Sequence, residues 1–450
     1  MRSPTAVALL CGLLCSIACA TTYTVDGERG SDGNDGITAP FKTITRGAQA
    51  LQTSDMLVIV KTAEPYRESL PLTVGGTADG PLVIEGNGAT LSGADVAPRD
   101  GWEALGPVYS LPQPQEVKFL FGPETRYEQG KSATELQLEQ WFWTEGKLHF
   151  RPAEGKSPAD YELWMSVRVS GVLTTGAGQI VVRNLTCRNF YNDGFNIHGG
   201  SAPVWFEHIR GLWNGDEGFS CHENCEAYVR TAEFAHNYWH GIADVNFART
   251  HYSGLSVHDN VSKGIWFLGG THSVIDSEVS GSPINVALSR GDYRQVPFAE
   301  SNPLWKNVTN LRNVVVRSAP SEVGVQVTDG ASAVLEHSLV QGGRVGLDVL
   351  AGGTAYVVNS VLCGAEEAEV SSQGTYLADH NLYHPGRLSL GGEGFQLIHS
   401  YDARQGNTGI PGLLADLAEA GIRYEDLKTT QSSLEDIFVT LLQNSEAGKP

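Results

Sequence analysis

The sequence repeats about every 23 residues from residue 178 onward, and this period constrains the fold more than any other feature. Four glycines mark the repeat at steps of 24, 23 and 23 residues: Gly194, Gly218, Gly241 and Gly264. A short segment with alternating apolar residues follows each glycine. An asparagine recurs just upstream at the same spacing, as Asn214, Asn237 and Asn260. Such a period predicts a solenoid in which each repeat forms one turn.

Short strands that recur with this period indicate the coils of a right-handed parallel β-helix. One coil cannot bury its own apolar side chains, whereas coils stacked at about 4.8 Å form a continuous core and pair their backbone groups. Stacked asparagines can form a hydrogen-bonded ladder inside a turn. The predicted fold class is therefore all-β, with one right-handed parallel β-helix over residues 21–400.

Three segments depart from the coil pattern. Residues 43–52 have an amphipathic helical pattern with Thr43 as N-cap, which predicts a helical cap on the open N-terminal edge of the β-helix. Residues 95–170 are rich in aromatic residues and predict a β-rich insertion. Residues 292–308 predict a long loop, and long loops on a solenoid usually form one wall of a binding face.

The first 20 residues predict a signal peptide. They contain an early Arg2, an apolar run over residues 6–17, and small residues around a cleavage site at 18–20. The run is too short to span a bilayer. Residues 16–19 also resemble a bacterial lipobox, so we expect membrane attachment only if Cys19 carries a lipid. The expected location is secreted, periplasmic or on the cell envelope.

Residues 401–450 do not continue the repeat and predict a short α/β tail. Residues 413–422 and 433–438 resemble the C-terminal end of ABC-transporter ATPase subunits. The chain nevertheless lacks a phosphate loop, because the Gly-Lys-Ser sequences at 130–132 and 155–157 lack its first glycine. We therefore expect no nucleotide binding.

The charge of the chain limits the classes of molecule that we expect it to bind. There are 31 basic and 51 acidic residues, for a net charge of −20. This balance argues against nucleic acid as a partner, because phosphate binding needs clustered Lys and Arg. Four cysteines remain after residue 20, too few for a disulfide framework. We expect a monomer.

Alignment of the coils by their glycines predicts two columns of polar side chains. The site column contains Asp193, Glu217, His240 and Lys263. The neighbouring column contains Asn192, Asp216, Trp239 and Ser262. Carboxylates about 5 Å apart repel each other, so either a cation lies among them or a pKa rises. Because oxygen ligands suit Ca²⁺, the predicted metal ligands are Asp193, Asp216 and Glu217.

Two coils resemble a known enzyme family. Residues 192–195 and 216–219 are similar to the Asp-Asp-Gly-aromatic coils of calcium-dependent family-nine pectate lyases, and residues 23–44 resemble the opening of secreted β-helix proteins of the pectate-lyase-like superfamily. This resemblance implies β-elimination of an acidic polysaccharide, with calcium at the three carboxylates. It departs at Ser220, which replaces a further Asp, and at Ala243, where the catalytic Lys of the family would align.

The residues themselves suggest other catalytic groups. Lys263 is a candidate general base for β-elimination if burial lowers its pKa. Three histidines could instead pair with Asp193 or Glu217 as the acid and base of a hydrolase: His198, His222 and His240. The candidate substrate-binding residues are Trp239, Trp266, Arg290 and Tyr293. Asp244 should face inward, where a carboxylate needs partners.

Three functional hypotheses remain open at this point. The leading one is a secreted enzyme that cleaves an acidic polysaccharide by β-elimination. The others are a β-helix glycoside hydrolase and a non-catalytic protein that binds glycans or belongs to the cell envelope. The absence of the family's catalytic Lys favours the non-catalytic hypothesis, whereas the acidic cluster with histidines favours an enzyme.

Overall fold

A computed structural model describes residues 20–291, 306–384, 387–390 and the short strand 396–397. Residues 1–19 of the predicted signal peptide, the predicted tail over 401–450 and most of the predicted loop over 292–308 lie outside the described residues. Among the described residues, no helix is long and apolar enough to cross a membrane.

The described chain is a parallel β-solenoid with almost no helix. Successive coils add strands to two long sheets, and the pairings through the centre of both sheets are parallel. Sheet A has 16 strands: β1 Thr22–Val25, β2 Met56–Ile59, β4 Leu82–Ser92, β14 Ile180–Arg188, β16 Val204–Leu212, β18 Glu226–Ala235, β20 Arg249–His258, β22 Gly270–Ser280, β24 Asn307–Ser318, β26 Ala331–Glu336, β27 Leu339–Gly342, β29 Thr354–Val358, β30 Val361–Cys363, β32 Thr375–Asp379, β33 Leu382–His384 and β35 Gln396–Leu397. Sheet B has 11 strands: β3 Leu70–Leu72, β13 Val172–Thr175, β15 Phe195–His198, β17 Phe219–Cys221, β19 His240–Val245, β21 Lys263–Leu268, β23 Ile284–Ser289, β25 Val323–Val327, β28 Val345–Val349, β31 Ala368–Ser372 and β34 Leu388–Leu390.

The core lies between the two sheets and runs along the solenoid. Equivalent positions of successive strands in sheet B stack in register and are fully buried: Phe195, Phe219, Ile242, Ile265 and Val286. In-register stacking of like side chains removes apolar surface from water in every coil. This arrangement confirms the parallel β-helix predicted from the repeat.

The repeated asparagines and glycines have a physical role in the turn between the sheets. The side-chain amide of Asn214 donates to Asn237 over 3.1 Å, and that of Asn237 donates to Asn260 over 3.0 Å. A Cβ on Gly218 would lie 2.8 Å from the carbonyl oxygen of Gly241 and 2.9 Å from the amide nitrogen of Asn237. Only glycine leaves room for the ladder at this position, which explains the period of the two residue types.

One short α-helix, α1 (Ile44–Ala50), lies near the N-terminus. The side chain of Thr43 caps it by accepting a hydrogen bond from the Arg46 backbone over 3.1 Å. Gly47 is buried, and a Cβ there would lie 2.7 Å from Val25 and 2.9 Å from Leu57. The helix therefore packs closely on the first strands, while its function as a cap for the open edge stays a prediction.

Between β4 of sheet A and β13 of sheet B, the chain leaves the coils and forms an insertion over residues 94–166, which we call the excursion. It contains a 3₁₀-helix, Pro158–Asp160, and two four-stranded antiparallel sheets. The strands of the first sheet are β6 Glu103–Leu105, β7 Val108–Pro112, β10 Gln140–Thr144 and β11 Lys147–Arg151. Those of the second are β5 Ala94–Val96, β8 Phe119–Phe121, β9 Arg126–Tyr127 and β12 Trp164–Ser166. The excursion has its own core, with Trp141 and Phe150 buried at its centre.

Candidate functional site

The register of sheet B builds the site column. Phe195 pairs with Phe219 and Phe219 with Ile242, so the residues two positions before them also lie one above another. The backbone of Gly194 donates to the carbonyl of Glu217, and His240 pairs directly with Lys263. Asp193, Glu217, His240 and Lys263 therefore form one column, as the glycine spacing predicts.

Three carboxyl groups meet at the start of this column, and we call them the carboxylate triad: Asp193, Asp216 and Glu217. One oxygen of each lies within 4.8 Å of the others. Asp193 and Glu217 are buried, whereas Asp216 is partly exposed. Burial raises the pKa of Asp193 to about 6 and also raises the pKa of Asp216. Burial, followed by the negative charges of the other two groups, raises the pKa of Glu217 well above its usual range.

Hydrogen-bond donors surround Asp193 and keep its charged form in place. Its Oδ2 accepts from the amide of Asn192 over 3.0 Å, from the amide of Asn196 over 2.5 Å and from the hydroxyl of Ser220 over 2.8 Å. Its Oδ1 accepts from the backbone of Glu217 over 3.2 Å. A hydrogen bond between the two carboxyl groups lowers the pKa of Asp193 and raises that of Glu217. This contact favours the protonated form of Glu217 over that of Asp193.

These shifts predict a loss of stability as the pH rises. A carboxyl group with a raised pKa in the folded state stabilises the protein fully below its unfolded pKa, near 4, and this contribution is lost as the pH passes the folded value, about 6 for Asp193. We expect the free energy of unfolding to fall by roughly 1 to 3 kcal/mol from this source between about pH 4 and pH 7. Denaturant unfolding at several pH values measures it.

The matched variants for this test are Glu217→Gln and Glu207→Gln. Glu217→Gln removes one of the groups whose raised pKa causes this dependence, so its stability should depend less on pH than that of the wild type. Glu207 lies on the outer face of sheet A, and Glu207→Gln should keep the wild-type dependence. Equal pH dependence in the wild type and Glu217→Gln would show that the triad shares no proton.

His240 and Lys263 continue the column beyond the triad. His240 is 4% exposed, and burial, followed by the charge of Lys263, lowers its pKa to about 3. The imidazole is therefore neutral, and its ring lies 4.9 Å from that of Trp266. Burial also lowers the pKa of Lys263, whose ammonium lies 4.9 Å from the centre of the Trp266 ring. A lowered pKa is the condition under which we predict that Lys263 acts as a general base.

An open groove begins beside the triad. Trp239 lies one coil beyond Asp216, because its backbone donates to the Asp216 carbonyl over 3.2 Å, and its side chain is 51% exposed. Trp239, Tyr238, Val261 and Lys263 line a cavity of about 360 Å³. Exposed aromatic rings at this position offer flat apolar surfaces, of the kind on which sugar rings stack. We call this surface, from Asp216 to Lys263, the site groove.

The excursion forms a wall of the site groove. Phe119 of β8 lies 5.2 Å from the Tyr238 ring, and the guanidinium of Arg126 lies 4.6 Å above the same ring. A Cβ on Gly215 would lie 2.3 Å from the Phe119 ring, so the wall packs on the backbone next to Asp216. Sequence reasoning did not predict these contacts, nor the donors Asn196 and Ser220, although strand alternation signals that both donors face outward.

Two of the predicted catalytic histidines lie elsewhere. His198 and His222 stack with ring centres 3.9 Å apart, but at the opposite end of β15 and β17. Five residues of extended chain separate His198 from Asp193, a distance of roughly 16 Å. The interpretation that either histidine pairs with Asp193 or Glu217 as acid and base is therefore wrong, because the whole width of sheet B lies between them.

The residues predicted to bind substrate also lie in different parts of the structure. Trp239 lines the site groove, whereas the ring of Trp266 lies beside His240 and Lys263 of the site column. Arg290 follows the far end of β23, on the side of His198, where it forms an ion pair with Asp329 over 3.2 Å. Tyr293 lies outside the described residues.

Comparisons with known proteins support the fold. No protein-family model and no curated protein sequence match the chain, so nothing supports the resemblance of its tail to ATPase subunits. Among solved structures, it is similar to a glycoside hydrolase, with a TM-score of 0.56 and 11% identity over 91% of this chain and 100% of the other. It is also similar to XylC in complex with xylose, with a TM-score of 0.52 and 12% identity over 82% of this chain and 70% of the other.

Polysaccharide lyases also appear among the structural neighbours. Pectate lyase Pel9A matches with a TM-score of 0.43 and 9% identity over 93% of this chain and 91% of that chain, and an alginate lyase and a rhamnogalacturonan lyase match at lower TM-scores. At these identities the likeness shows the fold alone. The activity must therefore be argued from the residues of the site.

Proposed function

We propose that the protein hydrolyses a glycosidic bond of a polysaccharide that lies in the site groove. The observation that carries the proposal is the carboxylate triad, in which three carboxyl groups meet within 4.8 Å beside an open surface with exposed aromatic rings. Glycoside hydrolysis typically uses a pair of Asp or Glu residues, one of them held protonated. The similar folds of a glycoside hydrolase and of XylC with xylose agree with a carbohydrate substrate.

Each carboxyl group of the triad receives a distinct role. Glu217 is the general acid, because burial and the two neighbouring carboxyl groups raise its pKa and so favour its protonated form, and it donates its proton to the oxygen of the leaving sugar. Asp216 is the most exposed of the three and acts as the nucleophile on the sugar carbon, because carboxyl oxygens within 4.8 Å of each other leave no room for the water that a general base would activate. Asp193 is a positioning residue, since it is buried and accepts hydrogen bonds from the residues around it.

The triad fits a proton better than a calcium ion. Ca²⁺ takes six to eight oxygen ligands, whereas Asp193 already faces N–H and O–H hydrogens of Asn192, Asn196 and Ser220. A carboxylate whose oxygens already accept this many hydrogen bonds has few lone pairs left to coordinate a cation. We derive no step through calcium, and we expect activity to persist in the presence of a chelator.

β-Elimination of an acidic polysaccharide is the second candidate. Lys263 favours it, because its half-buried ammonium has a lowered pKa and lies at the groove. A base of this kind can remove the proton next to a uronate carboxylate. β-Elimination ranks second because, at this triad, it would require a calcium ion, and the hydrogen-bond donors around Asp193 disfavour binding of that ion.

A panel of polymers separates the candidates. Purified protein is incubated with neutral polymers such as xylan and with uronate polymers such as polygalacturonate and alginate, each with added Ca²⁺ or EDTA. We expect new reducing ends without the ultraviolet absorbance of unsaturated uronates, and equal rates with EDTA. Absorbance that requires Ca²⁺ would establish elimination. No product on any polymer, together with retention of a polymer on the protein, would favour the non-catalytic glycan-binding hypothesis.

Secretion through the predicted signal peptide is part of this proposal, because extended polysaccharides lie outside the cell. Proteolytic mapping of the N-terminus after expression with residues 1–20 present tests it. Cleavage after Ala20 supports secretion of a free protein, whereas a modified Cys19 supports a lipoprotein.

A further inference from the structure

A second cluster of side chains that can bind a metal lies at the C-terminal ends of the strands of sheet B, at the opposite end of these strands from the carboxylate triad. His198 ends β15, and His222 and Glu223 directly follow β17 on the next coil. The two imidazoles stack at 3.9 Å with an angle of 17° between their planes, because the register of the coils places them one above the other. Both oxygens of Glu223 lie 3.3 Å from Nδ1 of His198. All three side chains are partly exposed, so an ion from solution can reach them.

We propose that His198, His222 and Glu223 form a binding site for a zinc-type transition-metal ion that links two successive coils. Two imidazoles and one carboxylate are a typical ligand set for Zn²⁺, with water in the fourth position. One ligand atom of each residue lies within 4.8 Å of the others. Tetrahedral Zn²⁺ with bonds of about 2.1 Å needs separations of about 3.4 Å, which rotation of partly exposed side chains on adjacent coils supplies.

A backbone contact prepares the carboxylate of the cluster for a metal. Glu223 is held in place by the backbone N–H of Gly199, which donates to it over 3.0 Å. This contact orients the carboxylate toward the two rings, as outer hydrogen bonds do in known metal sites.

This site is independent of the proposed hydrolysis. It lies roughly 16 Å from the triad along β15, and imidazole ligands select zinc, copper or nickel rather than calcium. Its effect is structural, since an ion bound across β15 and the turn after β17 ties one coil to the next. Binding to the folded state alone raises stability in proportion to the logarithm of metal concentration above the dissociation constant.

The experiment is a titration of the full-length protein with ZnCl₂, followed by calorimetry and by thermal unfolding. We expect a Tm that rises with Zn²⁺ and not with Ca²⁺ or Mg²⁺. The double variant H198Q/H222Q should bind Zn²⁺ at least about tenfold more weakly at this site. Co²⁺ in place of Zn²⁺ should give the visible absorption of a tetrahedral complex in the wild type, and this absorption should be lost in the double variant.

Two control variants keep the proposal falsifiable. H251Q removes an exposed histidine that stacks on Tyr228 in sheet A and belongs to none of the clusters found among the described residues, and it should bind Zn²⁺ as the wild type does. H236Q/H258Q removes a second cluster, with Asp259, at another corner of the solenoid, and should leave the site at His198 intact. Unchanged Zn²⁺ affinity and stoichiometry in H198Q/H222Q would overturn the proposal, and so would equal losses in H251Q.

Discussion

Replacement of Glu217 by Gln should lower kcat by about 10²- to 10⁴-fold on whichever polymer the protein cleaves. This is the range that a general acid typically contributes, and the amide cannot supply the proton that the raised pKa of Glu217 holds in place. The fold should survive, because glutamine has the same shape and removes one of three crowded acidic groups. The measurement is the rate of formation of reducing ends, together with the midpoint of denaturant unfolding.

The same experiment distinguishes the two candidate chemistries. Under hydrolysis, Lys263→Met should retain most of kcat, since Lys263 lies two coils from Glu217 in the site column. Under elimination, Lys263→Met should lose as much activity as Glu217→Gln. Full activity in Glu217→Gln, with an unchanged unfolding midpoint, would show that Glu217 is not the general acid and would contradict the proposed function.

The fold and the site column could be predicted because one period fixes both. In a parallel solenoid the register between coils equals the repeat length, so glycines 23 residues apart place Asp193, Glu217 and His240 on successive coils without any knowledge of side-chain contacts. The asparagine ladder follows from the same spacing. These predictions depended on backbone geometry, which a regular repeat determines.

Predictions that depended on distance along a strand or on side-chain partners could not be made in this way. His198 and His222 follow the triad by only a few residues in sequence, yet extended chain carries them to the other end of sheet B. The hydrogen bonds of Asn196 and Ser220 to Asp193 depend on rotamers that a repeat does not encode. Those hydrogen bonds shift the preferred chemistry from the calcium-dependent elimination implied by resemblance toward hydrolysis.

Asp244 shows what a buried exception to the pattern requires. It is fully buried inside the solenoid, as strand alternation predicts, and Tyr252 and Thr250 donate to it over 2.8 Å and 2.6 Å. Nδ1 of His272 lies 2.7 Å from the hydroxyl of Thr250, and its Nε2 donates to the Gly269 carbonyl over 2.6 Å. His272 lies 3.5 Å from Asp244, so the carboxyl group, the two hydroxyls and the imidazole form one buried polar network.

Replacement of Asp244 by Ala should lower the free energy of unfolding by about 3 to 5 kcal/mol. The buried hydroxyls of Tyr252 and Thr250 would lose their acceptor, at a cost of about 1 to 3 kcal/mol each, and the buried His272 would lose the carboxyl group 3.5 Å away. Asp329→Ala is the matched control, because Asp329 pairs with Arg290 at an exposed site and should cost less than about 1 kcal/mol. Denaturant midpoints measure both variants, and equal midpoints would show that the buried network around Asp244 does not stabilise the coils as these contacts imply.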